Sequence, residues 1–393
     1  MSTQSNSSPR RWLRWSVSAA ALVMVIVVMA NIWPTGADYY FTFNRTAHKW
    51  LDGETRLYDD HPATEIPGNP DIGFFYAPWL LVVLVPLALL PLNLGQAVLT
   101  VGSLIGILGS IRILKSTSPV PLYILVLAIA NLHTFDVLIR GQIDVITLVG
   151  VVLGWWAIQA RRPLWLSGAL ALMAIKPISA LLPGIIFLMC IRRWSPKDKL
   201  LTVSLPAALC LLSGIACGFD WPLRYLNYVS TNLPPHDYLS TSLWRGFAEL
   251  GLPTLPLFIA GGAAAAAILF IAWTVDLNQW VLAVALATNL LFSTYIHGNH
   301  YVLLVPALVY LARKDWRLVL VAYLTTLTPL LRLAYGPRAA RISVVFPLTM
   351  FLTLWALQLR EAQLHTGKWW RVLLDRLSAE TASERGHIWE SAV

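Results

Sequence analysis

The chain has 393 residues, of which 57% are hydrophobic and only 12% charged, and its mean hydropathy is +0.63. A soluble domain carries about twice that charged fraction, so a large water-facing core is excluded. The formal net charge of +9 comes from Lys and Arg beside apolar runs, which argues for positive-inside membrane anchoring over nucleic-acid binding.

Residues 1–9 are polar and Ser-rich and read as disordered. Arg10, Arg11 and Arg14 precede an apolar run from Trp15 to Trp33, long enough at roughly 20 residues to span a bilayer. A cleaved signal peptide has a shorter apolar core, so this run reads as a signal anchor with residues 1–14 as a cytoplasmic tail. Apolar stretches follow at 76–92, 95–114, 119–138, 144–160, 164–191, 200–218, 253–274, 278–296, 300–312, 316–334 and 342–359. They predict an all-α polytopic membrane domain over 15–359 with about 10–13 transmembrane helices.

Within 164–191, Arg161-Arg162 and Arg192-Arg193 flank the ends and Lys176-Pro177 interrupts the middle. Both basic clusters prefer the cytoplasm, so the segment goes out and returns, with Lys176-Pro177 at the outer turn. Arg112 and Lys115 conflict with the parity of this alternation. The tail from Arg360, with Lys368-Trp369-Trp370-Arg371, reads as an amphipathic helix on the cytoplasmic surface. Cys190, Cys210 and Cys217 lie in apolar runs without metal-ligand spacing and read as small buried hydrophobes.

The longest polar connections, 34–75 and 219–250, are assigned to the outer face. A helix beginning near Asp38 puts Tyr40, Phe43, Ala47, Trp50 and Leu51 on one face and Asp38, Thr42, Arg45, Lys49 and Asp52 on the other. That pattern suits a helix lying flat on the membrane. Asp38 is then either its N-cap or an acid presented just outside the membrane. Further polar residues recur where helices should end on the same face: Arg140-Gly141-Gln142-Ile143-Asp144, Lys176-Pro177 and His297-Gly298-Asn299-His300-Tyr301. Ionisable groups there are costly unless paired, capped or hydrated, which marks them as functional candidates. The structural alternatives are an N-cap for Asp144, a snorkelling Lys176 and a buried hydrogen-bonding His297.

The ordered series Asp38-Tyr39-Tyr40, Trp50-Leu51-Asp52-Gly53, Leu57-Tyr58, Phe75-Tyr76-Ala77-Pro78, Gly141-Gln142, Gly168 to Lys176-Pro177, Leu243-Trp244-Arg245-Gly246-Phe247 and His297 to His300-Tyr301 resembles glycosyltransferase family 87. These are bacterial polyprenyl-phosphate-mannose-dependent mannosyltransferases of the GT-C superfamily. The family's Gly-Gln-Val-Asn-like and Tyr-Pro-Pro-like motifs stand here as Gly141-Gln142-Ile143-Asp144 and Tyr76-Ala77-Pro78. The resemblance implies a GT-C-type bundle in the bacterial plasma membrane that moves mannose from a polyprenyl phosphate to a glycolipid or glycan acceptor. It implies Asp38 as catalytic base. Lys176, Arg245, Arg140, His297 and His300 are the expected donor-phosphate ligands. Tyr39, Tyr40, Gln142, Asp144 and Tyr76 are the expected sugar or acceptor ligands. No cofactor is required by this scheme, although a divalent metal at Asp38 and Asp144 is conceivable. A transporter or flippase for lipid-linked glycans is the competing class; it would place polar residues deep within several helices.

Overall fold

A computed structural model describes residues 9–58, 74–115, 121–232, 241–331, 342–361 and 369–392. The expected N-terminal tail (residues 1–8), the loop portions 59–73 and 233–240, and Lys368 lie outside the described residues. Among the described residues all regular structure is helical. Among the described residues, four helices are long and apolar enough to cross a membrane: Leu92–Lys115, Pro196–Cys217, Leu255–Val275 and Ile342–Arg360. The pair Leu122–Ile129 and Leu132–Arg140, bent by 53°, forms a fifth candidate. Other apolar helices are shorter, including Asp144–Gln159, Pro163–Met173 and Gln279–Phe292. The sequence expectation of ten to thirteen counts apolar runs, whereas the chain breaks several of those runs into pieces too short for a straight span.

Helix Gln279–Phe292 is the axis of the bundle. It is apolar on every side, and nearly all its residues are buried. A helix of that kind belongs inside a bundle rather than at its edge. Helices Leu255–Val275, Val305–Lys314, Val345–Glu361 and Pro177–Cys190 pack around it.

The run 164–191 divides into Pro163–Met173 and Pro177–Cys190, with the break at Ala174–Lys176. The second helix is kinked again at Ala180, ahead of Pro183. Asn289 of the axial helix enters this kink. Its Oδ1 accepts from the Leu182 N–H (3.0 Å) and its Nδ2 donates to the Ile178 carbonyl (2.9 Å). One amide thus takes over both ends of a lost i→i−4 bond, which is a known cause of helix bending.

Arg112 and Lys115 lie at the end of the bundle opposite Asp38. Helix residues Pro78–Ala88 rise only about 16 Å, half the thickness of a hydrocarbon core. The chain turns at Pro91 without crossing, and Leu92–Lys115 starts at the same end as Asp38, with the Gly36 N–H donating to Gln96 Oε1 (2.7 Å). It finishes at the opposite end, where the Leu114 carbonyl accepts from Gln279 Nε2 (3.0 Å). That opposite end gathers Arg192, Arg193, Asp276, Arg313 and Lys314 and is called the basic end below.

Helix Trp369–Ala392 docks on the basic end. Leu373 and Leu377 are fully buried, and Asn278 Nδ2 donates to the Leu377 carbonyl (3.1 Å) and Thr381 Oγ1 (3.2 Å). Both oxygens of Glu384 accept from the Gln279 N–H, at 3.0 and 3.3 Å. Burial pushes the Glu384 carboxyl up to about 8, against the neighbouring Arg313 charge. A raised carboxyl pKa means that the docked state keeps a proton the undocked chain has lost. The docking contribution is therefore complete below the ordinary glutamate range and fades as pH rises through about 8. Amide hydrogen exchange in 369–392, corrected for intrinsic rates, should be faster at pH 9 than at pH 6. Glu384→Gln should abolish that difference; a pH effect that survives it would place the titration elsewhere.

Candidate active site

Several chain interruptions converge at the end opposite the basic cluster. The first is the corner after helix Leu132–Arg140. Gly141 closes that helix at φ 69°, with its N–H on the Leu138 carbonyl (3.3 Å) and the Gln142 N–H on the Val137 carbonyl (2.9 Å). Only glycine takes this left-handed position without strain. A Cβ on Gly141 would also come within 2.6 Å of Tyr39 Cβ, so the Asp38–Tyr39 segment rests directly on the corner. Gly36 lies equally tightly on the Arg140 carbonyl. Gln96 fastens the two together: its Nε2 donates to the Pro34 (3.1 Å) and Ile139 (3.3 Å) carbonyls.

This packing decides between the two readings of Asp38. The residue has helical φ/ψ and makes no side-chain cap bond, so the N-cap reading is overturned. The following turn, Tyr39–Asn44, is a π-helix, a form that often marks functional positions. Asp38 Oδ2 instead accepts from Gln142 Nε2 at 2.8 Å and lies 3.7 Å from the Arg140 guanidinium. Arg140 is held from behind by Asp136, whose Oδ1 accepts from Nε at 2.7 Å.

The second interruption is Lys176. The Ala77 N–H donates to the Ile175 carbonyl (3.1 Å), which brings Tyr76 beside Lys176. Lys176 Nζ sits 5.5 Å from the Tyr76 ring centroid and donates to Asp144 Oδ1 at 2.9 Å. The other carboxylate oxygen, Oδ2, accepts from Asn299 Nδ2 at 2.7 Å. Asp144 is completely buried and Lys176 nearly so, which excludes both the snorkelling lysine and the N-capping aspartate, the cap position being Ile143. The Tyr76 hydroxyl donates to Gln142 Oε1 (3.4 Å), joining this cluster to Asp38. Burial, then the Asp144 and Asp38 charges, holds the Tyr76 phenol well above its usual range, so it remains a donor.

The third interruption is His297–Tyr301. His300 Nδ1 accepts from the His297 N–H (3.2 Å) in a reciprocal capping box. Because Nδ1 accepts, the neutral ring carries its proton on Nε2. His300 Nε2 is buried with no hydrogen-bond partner, in a ring close enough to feel the charges of Lys176 and Asp144. The start of helix Leu243–Glu249, which carries Arg245, is tied beside this region because Thr241 and Ser242 bond to the Ile296 and Thr294 carbonyls and Trp244 Nε1 to the Phe292 carbonyl.

The two expected ligands that follow Asp38 differ in burial. Tyr39 is buried against Gly95 and Gly141 with its hydroxyl on the Leu87 carbonyl (3.5 Å), so it buttresses the corner. Tyr40 is exposed and packs edge-on against Phe41. The sequence reading assigned no role to Asp136, Gln96 or Asn299. Asp136 was detectable as an i,i+4 partner of Arg140. Asn299 stood within the polar His297–Tyr301 motif. Gln96 carried no local signal, because its partners are 43 or more residues away.

The profile of glycosyltransferase family 87 matches residues 74–296, more than half the chain. The chain belongs to glycosyltransferase family 87. The match contains Tyr76, Arg140, Gln142, Asp144, Lys176 and Arg245; Asp38 and His300 lie outside it. Neither curated proteins nor solved structures gave a match. Family 87 membership and the apolar spans make this a membrane glycosyltransferase. Among the described residues no three His, Cys, Asp or Glu side chains gather in a metal-holding group. Asp38 and Asp144 each face a cation and an amide donor instead, so this donor set does not fit a shared divalent ion.

Removing one member of the buried pair leaves an uncompensated charge. Lys176→Met should lower stability by about 3–5 kcal/mol, whereas Lys176→Met with Asp144→Leu should recover most of that loss. Thermal unfolding in detergent checks this; equal loss in both variants would show that the pair is not the source.

Proposed function

We propose that this family 87 enzyme transfers mannose from a polyprenyl phosphate to a hydroxyl of a glycolipid or glycan acceptor, at the outer face of the bacterial plasma membrane. The observation that carries the reading is the carboxylate of Asp38, held by Gln142 at 2.8 Å beside the Lys176–Asp144–Asn299 cluster. Asp38 is the general base. It takes the acceptor proton as the acceptor oxygen attacks the anomeric carbon; the carbon–oxygen bond to phosphate breaks, and its electron pair leaves with the phosphate. The Tyr76–Gln142–Asp38 relay fixes the carboxylate's orientation. Direct displacement inverts the anomeric centre.

Charge developing on the leaving phosphate meets three kinds of donor. Lys176 has three N–H bonds and spends one on Asp144. Arg140 is pinned by Asp136, and Arg245 is brought in by the later loop. The buried, unpartnered His300 Nε2–H is a further donor near Lys176 and Asp144. Preorganised donors in a water-poor site are worth far more than in solution. Gln142, only partly buried beside Asp38, serves a sugar hydroxyl, while the fully buried Asp144 positions Lys176.

A lipid-linked donor also needs an apolar berth. A groove of about 380 Å³ runs between helix Pro78–Ala88 and helix Pro196–Cys217, lined by Trp50, Trp79, Val82, Leu209 and Leu212. Its wall begins at Pro78, two residues after Tyr76, so a chain lying there would present its phosphate to Lys176.

In proteoliposomes with labelled polyprenyl-phosphate mannose and a crude lipid extract of the source cells, the wild type should form labelled product. Asp38→Asn should reduce that rate by about 10²–10⁴-fold without loss of fold. Equal product from both would remove Asp38 from the chemistry. Solute or lipid movement without any transfer would favour a transporter.

A further inference from the structure

A second charged site lies at the basic end, far from the reaction. A cavity of about 370 Å³ is lined there by Arg161, Arg193, Arg385 and Asp276. The single carboxylate of Asp276 is shared among three guanidinium groups, Arg385 at 3.3 Å, Arg192 at 3.6 Å and Arg193 at 3.7 Å. Arg161 adds a fourth cation to the same walls. One acid therefore faces four arginines, and the excess positive charge is concentrated around one concavity. Positive-inside anchoring alone needs no such convergence; it is satisfied by cations spread along the interface.

Two features show that the convergence is built. Arg161 (φ 48°) and Asp276 (φ 63°) both stand in the left-handed region that favours glycine, so each side chain is kept at a conformational cost. The arginines also come from separate elements: the corner after Asp144–Gln159, the turn after Pro177–Cys190 and the docked helix Trp369–Ala392.

The depth of the cavity selects the ligand. Asp276 immediately follows the span Leu255–Val275, and Arg193 lies just before the span Pro196–Cys217. Arg192 stacks 4.1 Å from the ring of Trp273, which is half-exposed at the last turn of its span. Indole at a span's end marks the membrane–water boundary. We propose that this cavity binds the phosphate of an anionic phospholipid headgroup in the leaflet at the basic end. Arginine is suited to it, because its planar fork meets phosphate oxygens in pairs. Arg385 would carry the bound lipid's effect into the docked helix.

The test is lipid retention by the purified full chain, read by native mass spectrometry after exchange into phosphatidylglycerol or phosphatidylcholine. The wild type should hold phosphatidylglycerol about tenfold more tightly, as charge-assisted bonds predict. Arg161→Gln with Arg193→Gln should erase that preference; both side chains are exposed and their loss spares the fold. Lys197→Gln with Lys199→Gln, on the same face, should leave it intact. Equal retention of the two lipids by the wild type overturns the proposal, as does equal loss in the lysine control. Displacement of the lipid by an equal concentration of inorganic phosphate would assign the cavity to a soluble phosphate and overturn the lipid source.

Discussion

The buried ion pair between Lys176 and Asp144 is the interaction on which the site depends. Two charges removed from water cost several kcal/mol each unless their partners are well placed. Here the pair is 2.9 Å apart and Asn299 satisfies the second carboxylate oxygen at 2.7 Å. The three residues come from three different chain interruptions, so the pair fixes the relative positions of helices that have no continuous backbone between them. It also holds the Lys176 ammonium buried beside Tyr76 and Asp144.

Interruption is the architectural theme. A straight bundle would satisfy its backbone internally but would leave no polar groups at its end. This chain breaks at Pro91, at Lys176-Pro177 and at Ala180, and repairs the freed backbone groups with side chains. Asn289 bridges the kink at Leu182 and Ile178, while Gln96 ties Pro34 and Gly36 to Ile139. At one end the breaks gather Asp38, Gln142, Asp144, Lys176 and His300. At the other, two helix ends and the docked helix gather arginines. The chemistry of each end follows from which kind of terminus it collects.

Much of this was legible in the sequence. Apolar runs gave the helical membrane class, and Arg161-Arg162 with Arg192-Arg193 gave the break at Lys176. The polar motifs that were singled out include the residues that meet in the cluster. What was hidden had a common cause. The number of full spans was hidden because hydropathy records apolar length and not kinks. The partial helix Pro78–Ala88 reads like any other apolar run. Sequence left Asp38 open between a cap and a presented acid because its partner, Gln142, is 104 residues away. Nor does sequence show that a π-turn follows Asp38 and buries Tyr39 while exposing Tyr40.

In the proposed mechanism one carboxylate, Asp38, activates the acceptor without a covalent sugar–enzyme intermediate. Its most direct test is stereochemical: the anomeric configuration of the first-formed product, compared with that of the donor by proton–carbon coupling in NMR. A single displacement driven by Asp38 predicts inversion. Retention would require a second nucleophile on the enzyme and would contradict the mechanism built on this site.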